Sequence, residues 1–316
     1  MKPKNIKHSL ILWAIFTPVL CFSQIKFDHQ QDVIYGYKDG MALVMDVYSP
    51  IEKSNETGII LVMAGGMTSS PIWSHEAGNR TDVQNLLEAG YVVFATAHSS
   101  QPKYTADESR TDIPRAVRFI RYNSKRFRID PNKIGILGYS SGGHLSLMTA
   151  TCPPPENLES DDPVDNESSK VQAAVAYYPS SDLTNFGQDN VTILEHFNSV
   201  GYNLDAAFDF HKWDNKSNRF ERIENPESIK EFYKKNSPIN YVTDDDPAIL
   251  IIHGSEDKLV PIQQSEIIID KLEEHGVPCK LLVMPGLGHG WETPMENEYA
   301  EVTDWFNKFL STANKY

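Results

Sequence analysis

Apolar and polar positions along this chain alternate between two periods, and the switches between them outline its architecture. Short apolar runs at 59–63, 91–97, 134–139, 171–177, 248–253 and 280–284 are rich in Val, Ile, Leu and Ala. Runs of that length, bounded by turn residues, read as strands. Two earlier runs, 33–37 and 41–48, flank Lys38-Asp39-Gly40, whose Asp-Gly chemistry suits a hairpin turn. Between strands the period changes. Within 111–122, Ile113, Ala116, Val117 and Ile120 fall at i, i+3, i+4 and i+7, so they share one helix face. Residues 141–150 predict a helix of small side chains. Residues 261–275 and 296–310 predict two more, the last with Tyr299, Val302, Phe306 and Leu310 turned inward. The alternation predicts an α/β fold: a mostly parallel, eight-stranded sheet with helices on both faces and the antiparallel opening pair at its edge.

Two stretches break this rhythm. Residues 152–170 contain Pro153-Pro154-Pro155 and an acidic run, and read as a solvated surface loop. Asp161, Asp162 and Asp165 lie there without the fixed spacing and central glycine of a calcium loop. Residues 185–236 carry Phe197, Tyr202, Phe208, Phe210, Trp213, Phe220 and Tyr233 among many polar positions. So long a segment is not a structureless loop. It predicts a small, mainly helical insertion over the carboxyl ends of the strands, where ligands bind in open α/β sheets. No repeat and no second hydrophobic core is evident, so 24–316 reads as one domain with that insertion.

The first residues stand apart. Lys2, Lys4 and Lys7 precede an apolar run over 10–22, too short to span a bilayer. Residues 1–23 therefore read as a signal peptide, with Cys21 and Ser23 suited to cleavage before Gln24. Leu20 is bulky for the position before a lipidated cysteine, so simple export, periplasmic or secreted, is the expectation. Cleavage removes three lysines and no acid, taking the formal charge from −14 to −17. That charge argues against nucleic acid and anionic membranes as partners. Cys152 and Cys279 alone remain, which excludes a disulfide framework. They are expected on separated strands as free, buried thiols. No cysteine–histidine cluster has zinc spacing, and no metal or organic cofactor is implied.

Chemistry concentrates around 134–145. A strand-type run enters Gly138-Tyr139-Ser140-Ser141-Gly142, and helix formers follow at once. This is the pattern of a strained turn that lifts a serine hydroxyl above a sheet. Gly138 and Gly142 stand where a Cβ would strike a neighbouring strand or helix. Ser140 needs a base, and His289, between Gly288 and Gly290 after the last strand, can fold back toward it. His144 is a rival by proximity, expected instead to pack or cap locally. The base needs a carboxylate, which His253-Gly254-Ser255-Glu256-Asp257 supplies: Asp257, with Glu256 as the near alternative. Asp182 is a more distant candidate, read more readily as the cap of a turn. The order Ser…Asp…His is the one Gly-x-Ser-x-Gly hydrolases use. Oxyanion donors are expected from the amides of Ser141, Gly66 and Met67, with Gly65 close behind.

With these residues in view, the chain resembles the α/β-hydrolase superfamily, in particular secreted carboxylesterases of the acetyl-esterase and acetylxylan-esterase type. Met45-Asp46-Val47-Tyr48-Ser49-Pro50 is similar to their second-strand motif, and Arg128-Ile129-Asp130-Pro131-Asn132-Lys133-Ile134 to their approach to the nucleophile strand. The serine turn 138–145, the acid loop 253–261 and Gly288-His289-Gly290 match their counterparts. One loop departs. The family's oxyanion loop usually reads His-Gly-Gly-Gly-Trp, whereas this chain has Ala64-Gly65-Gly66-Met67-Thr68. Backbone donors survive the change, but the loop's outer supports differ.

The resemblance implies an α/β-hydrolase fold and a serine esterase acting on carbohydrate esters or small acyl esters, without cofactor. Prolyl-oligopeptidase-type peptidases share fold and triad order, but the chain has no stretch long enough for their propeller. A non-catalytic binder on this fold would have lost a triad residue, and none is lost. Trp73, Tyr104, Trp213 and Trp291 are candidates either for stacking on sugar rings or for ordinary core and rim packing.

Overall fold

The computed structural model describes residues 26–291 and 297–311. The segment read as a signal peptide, Cys21 included, lies outside them. Ten strands form: β1 (Phe27–Lys38), β2 (Met41–Pro50), β3 (Gly58–Val62), β4 (Val92–Thr96), β5 (Ile134–Tyr139), β6 (Ala173–Tyr177), β7 (His211–Asp214), β8 (Arg219–Arg222), β9 (Ala248–Gly254) and β10 (Cys279–Met284). Eight of them, all except β7 and β8, build one sheet in the order β1-β2-β4-β3-β5-β6-β9-β10. Only β2 runs against the others. The eight apolar runs of the sequence thus become the eight strands of an α/β-hydrolase sheet, with the hairpin at one edge. Because β3, β5, β9 and β10 are parallel, the loops at their carboxyl ends open on one side of the sheet. Each of those loops carries a candidate site residue.

Side chains alternate between two core layers, as the two-residue strand period demands. Ile60 and Val62 of β3 face Ile113, Ala116, Val117 and Ile120 of the helix Asp112–Tyr122, with Ile268 and Leu272 of the helix Gln263–Glu274. Ile59 and Leu61 face the opposite layer, where Val302, Phe306 and Leu310 of the helix Glu298–Leu310 pack with Val83 and Leu86. Trp305 joins that face, while Tyr299, expected inward, is only half-buried. The helix Ser141–Thr151 is buried along its whole length. Its small residues fit because sheet, helices and insertion crowd it from every side.

The edge hairpin is tied down by polar groups. A bulge in β1 between Gln30 and Val33 turns Asp32 into left-handed backbone. Its N–H then donates to the buried Asp46 carboxylate at 3.0 Å, and His29 Nε2 lies 2.6 Å from the other oxygen. His75 completes the group at 2.9 Å from the Asp32 carboxylate. A buried carboxylate is tolerated when its oxygens are so paired.

Some details differ from the sequence reading. The insertion contains the helices Ile193–Ser199 and Pro226–Lys235, but also the β7–β8 hairpin. Neither of those strands has a buried face, and their one apolar pair, Trp213 and Phe220, meets edge-to-face at 5.2 Å in the open. Without a buried face there was no alternation to read. The insertion also builds a third cluster, in which Phe197, Leu204 and Phe208 enclose Met67 and Val260. The acidic loop is held by Arg115, which pairs with Asp162 and Asp165 at 2.6 Å each. Cys152 and Cys279 are free, as expected, though half-buried rather than buried, and only Cys279 lies on a strand, Cys152 ending the helix Ser141–Thr151 instead.

Candidate active site

Ser140 follows the last residue of β5 with φ 54° and ψ −118°, outside the regions a non-glycine residue ordinarily occupies. Two bonds hold it there: its N–H donates to the Tyr177 carbonyl, and its own carbonyl accepts from the His144 N–H, both at 2.9 Å. Glycines make the turn possible. A Cβ on Gly138 would sit 2.2 Å from the Gly142 carbonyl oxygen, and one on Gly142 would sit 2.8 Å from that of Val62. Gly143, which the sequence reading passed over, has the same constraint against Tyr177.

His289 and Asp257 arrive from the loops after β10 and β9. His289 Nε2 lies 2.9 Å from Ser140 Oγ, and its Nδ1 lies 2.7 Å from Asp257 Oδ2. A carboxylate only accepts, so Nδ1 carries the proton and the Nε2 lone pair faces the hydroxyl. Asp257 Oδ1 accepts from the Leu259 and Val260 amides at 2.9 Å each. Burial alone would raise the Asp257 carboxyl. Hydrogen bonds with His253 and His289, the imidazolium charge and the Val260 amide outweigh it and hold the group down at about 2. Close packing of the two loops depends on Gly254, whose Cβ would lie 2.3 Å from the Leu287 carbonyl oxygen. The Tyr178 ring packs T-shaped against the His289 imidazole, with ring centroids 4.6 Å apart.

The rival residues are occupied elsewhere. His144 Nδ1 lies 3.0 Å from the Ser180 carbonyl, and burial, opposed by that bond, brings its pKa down to about 4. Asp182 accepts from the Thr184 and Asn185 amides, which makes it the cap of a turn. Glu256 is exposed.

The loop after β3 closes as a two-residue turn. Gly65 and Thr68 exchange both backbone hydrogen bonds, at 2.9 and 3.0 Å, and Gly66 and Met67 between them both have φ 57°. Two positive φ values mark the primed turn type. Gly65 thereby spends its N–H on Thr68, so it leaves the donor set. Among the described residues, the amides of Gly66, Met67 and Ser141 meet no acceptor. With Ser140 and His289 they line a cavity of about 400 Å³, whose far wall is Phe197, Tyr202 and Leu204 of the insertion. The carbonyls of Gly66 and Met67 both accept from Gln101, a contact that no sequence motif announced.

Of the aromatic candidates, Tyr104 is buried in the core and Trp291 is half-buried, donating to Glu298 at 2.8 Å. Trp73 and Trp213 are exposed. No helix among the described residues is long and apolar enough to cross a membrane.

The chain is similar to several known proteins. The esterase LipQ of Mycobacterium tuberculosis is 28% identical over 72% of this chain and 49% of its own length. The chain spans about half the length of the first relatives it matches. A truncated carbohydrate esterase from gut microbiota superposes with a TM-score of 0.72 at 25% identity, covering 92% of this chain and 98% of that one. An acetyl ester-xyloside bifunctional hydrolase from Caldicellulosiruptor lactoaceticus shares the fold, with a TM-score of 0.68 at 23% identity over 88% and 96% of the two chains. Residues 45–272 match the BD-FAE family model, which takes in the serine turn and the acid loop. The chain belongs to the BD-FAE family of α/β-hydrolases.

Proposed function

We propose that this protein is a serine carboxylic-ester hydrolase that removes small acyl groups from carbohydrate. The hydrogen-bonded line Asp257–His289–Ser140, at 2.7 and 2.9 Å, carries the reading. Ser140 Oγ attacks the ester carbonyl while His289 Nε2 takes its proton, and Asp257 steadies the imidazolium. The amides of Gly66, Met67 and Ser141 receive the oxyanion, each contributing about 3 kcal/mol to the transition state. His289 then protonates the leaving alcohol. A water deprotonated by the same nitrogen attacks the acyl-enzyme, and the carboxylic acid and Ser140 are released. Asp257, held at about 2, stays ionised at neutral pH.

The carbohydrate half of the proposal rests on company: two of the solved structures similar to this chain are described as a carbohydrate esterase and an acetyl ester-xyloside bifunctional hydrolase. The basic and apolar order of residues 1–23 supports export, where such esters occur. The purified mature chain is expected to hydrolyse p-nitrophenyl acetate and to release acetate from acetylated xylan. Turnover of the nitrophenyl ester with no release from xylan or any acetylated oligosaccharide would overturn the carbohydrate assignment and leave the esterase.

A further inference from the structure

A second cavity, about 550 Å³, meets the one over Ser140 along Ala64 and Tyr139. A third, about 340 Å³, joins it through Arg80 and Tyr139. Tyr139 therefore floors a continuous depression leading from the nucleophile's chain neighbour to Arg80. One wall is formed by Trp73, Glu76 and Asn79, which follow one another at three-residue spacing through the helix Pro71–Glu76 and the turn Ala77–Asn79. That spacing puts them on one face, and all three are exposed. Trp73 leaves 37% of its surface open, so core packing does not account for it.

We infer that this depression is the subsite for the alcohol half of the ester, and that the alcohol it takes is a neutral glycosyl unit. The inference rests on the esterase reading above. Its lining sets the Trp73 ring and an aliphatic wall, Met63 and Ala64, beside the hydrogen-bonding groups of Glu76, Asn79 and Arg80, which matches a pyranose, with apolar C–H faces and a rim of hydroxyls. An anionic sugar is disfavoured, because Arg80 is already neutralised. Its Nε and Nη2 donate to Asp82 at 3.0 and 2.7 Å, and its guanidinium lies 5.1 Å from the Tyr139 ring. Asp82 also accepts from the Tyr139 hydroxyl at 2.7 Å, and Glu76 adds a negative charge. A purely apolar alcohol is disfavoured because it would strip water from Glu76, Asn79 and Arg80 without replacing it. The insertion-side cavity, walled by Phe197 and Leu204, is left for the acyl group.

The test compares kcat/KM on O-acetylated xylotriose with kcat/KM on p-nitrophenyl acetate, for wild type, Trp73→Ala and Asn79→Ala. The ratio of sugar ester to nitrophenyl ester is expected to fall about tenfold or more in Trp73→Ala. It should fall by a smaller factor in Asn79→Ala. A ratio unchanged in both variants, with wild type active on the sugar ester, overturns the subsite alone. Wild type that cleaves the nitrophenyl ester but not the sugar ester overturns the subsite together with the carbohydrate reading. Thermal melts of both variants separate loss of fold from loss of binding.

An independent observation concerns the altered loop 64–68. A peptide unit is planar and trans, so an N–H points opposite to the carbonyl on its own plane. Each of the three free amides has that carbonyl anchored. The Gly65 carbonyl accepts from Thr68, which aims the Gly66 N–H, and the Ser140 carbonyl accepts from His144, which aims the Ser141 N–H. The Gly66 carbonyl, which aims the Met67 N–H, accepts from Gln101 Nε2 at 2.5 Å, and the Met67 carbonyl accepts from the Gln101 N–H at 3.2 Å. The geometry points to Gln101 as a positioning residue of the oxyanion site, standing in for outer supports this loop lacks.

Gln101→Met keeps the side chain's length and removes its amide, and with it the Nε2 donor to the Gly66 carbonyl. Its kcat on p-nitrophenyl acetate is expected to fall about tenfold to a hundredfold, less than or similar to loss of a donor itself, with KM within about twofold. Phosphonylation of Ser140, which passes through a similar anion, should slow in parallel. An unchanged kcat, or a rise in KM that accounts for the whole loss in kcat/KM, overturns the assignment. A melting temperature matching wild type excludes a merely structural effect.

Discussion

Replacing Ser140 by alanine is expected to lower kcat on p-nitrophenyl acetate by about four to six powers of ten. His289→Ala should lose a similar amount, and the double variant little more, because the hydroxyl and its base act as one unit. The reason lies in the 2.9 Å contact: without the imidazole the hydroxyl keeps its proton, and without the hydroxyl the imidazole has nothing to activate. The residual rate is that of the amide donors and binding alone. Neither substitution should unfold the protein. Ser140 and His289 are only half-buried, and the strained backbone at Ser140 is held by Tyr177 and His144 through main-chain atoms that alanine keeps. Steady-state kinetics on the two single variants and the double variant checks this. Losses that multiply in the double variant would mean that the two residues act separately.

Asp257→Asn is expected to cost about 10⁴ in kcat while leaving the fold in place. Asp257 Oδ1 must go on accepting from two amides, so the new NH₂ turns toward His289. Nδ1 then becomes an acceptor, the proton moves to Nε2, and the face presented to Ser140 is a donor that cannot take a proton. The same substitution has a signature in stability. The Asp257 carboxyl is depressed to about 2 from an ordinary 3.8, so its ionisation favours the folded state. That contribution is fully present above the unfolded value of 3.8 and is lost as pH falls toward 2. Urea midpoints of wild type and Asp257→Asn should therefore converge as pH is lowered through that window. A constant gap would mean that the carboxylate is not stabilised by its partners.

Much of this was legible in the chain because the signals were local. Eight apolar runs gave eight sheet strands; the inner ones, β3, β4, β5, β6 and β9, are buried on both faces and therefore almost wholly apolar. Gly138 and Gly142 were readable because only glycine fits where a Cβ would meet backbone at 2.2 and 2.8 Å. Other features depended on partners distant in sequence. Nothing around Gln101 shows that its side chain will meet Gly66, because that meeting is made by β3 and β4 lying side by side. Nothing local marks Gly254 either, because its constraint comes from the Leu287 carbonyl packed against it from another loop. Trp73 was legible only as an aromatic at large. Its spacing with Glu76 and Asn79 acquires meaning from the cavity in front of it. The β7–β8 hairpin has no buried face, and so no pattern.

The central claim, that Ser140 is a nucleophile made reactive by His289, is tested most directly by covalent trapping. The purified protein and its His289→Ala variant are treated with a p-nitrophenyl phosphonate, digested, and read by mass spectrometry. The account predicts one adduct per wild-type chain, on the Ser140 hydroxyl, and almost none on the variant in the same time. An active wild-type enzyme whose adduct sits on another residue, or a variant labelled as fast as wild type, would contradict it.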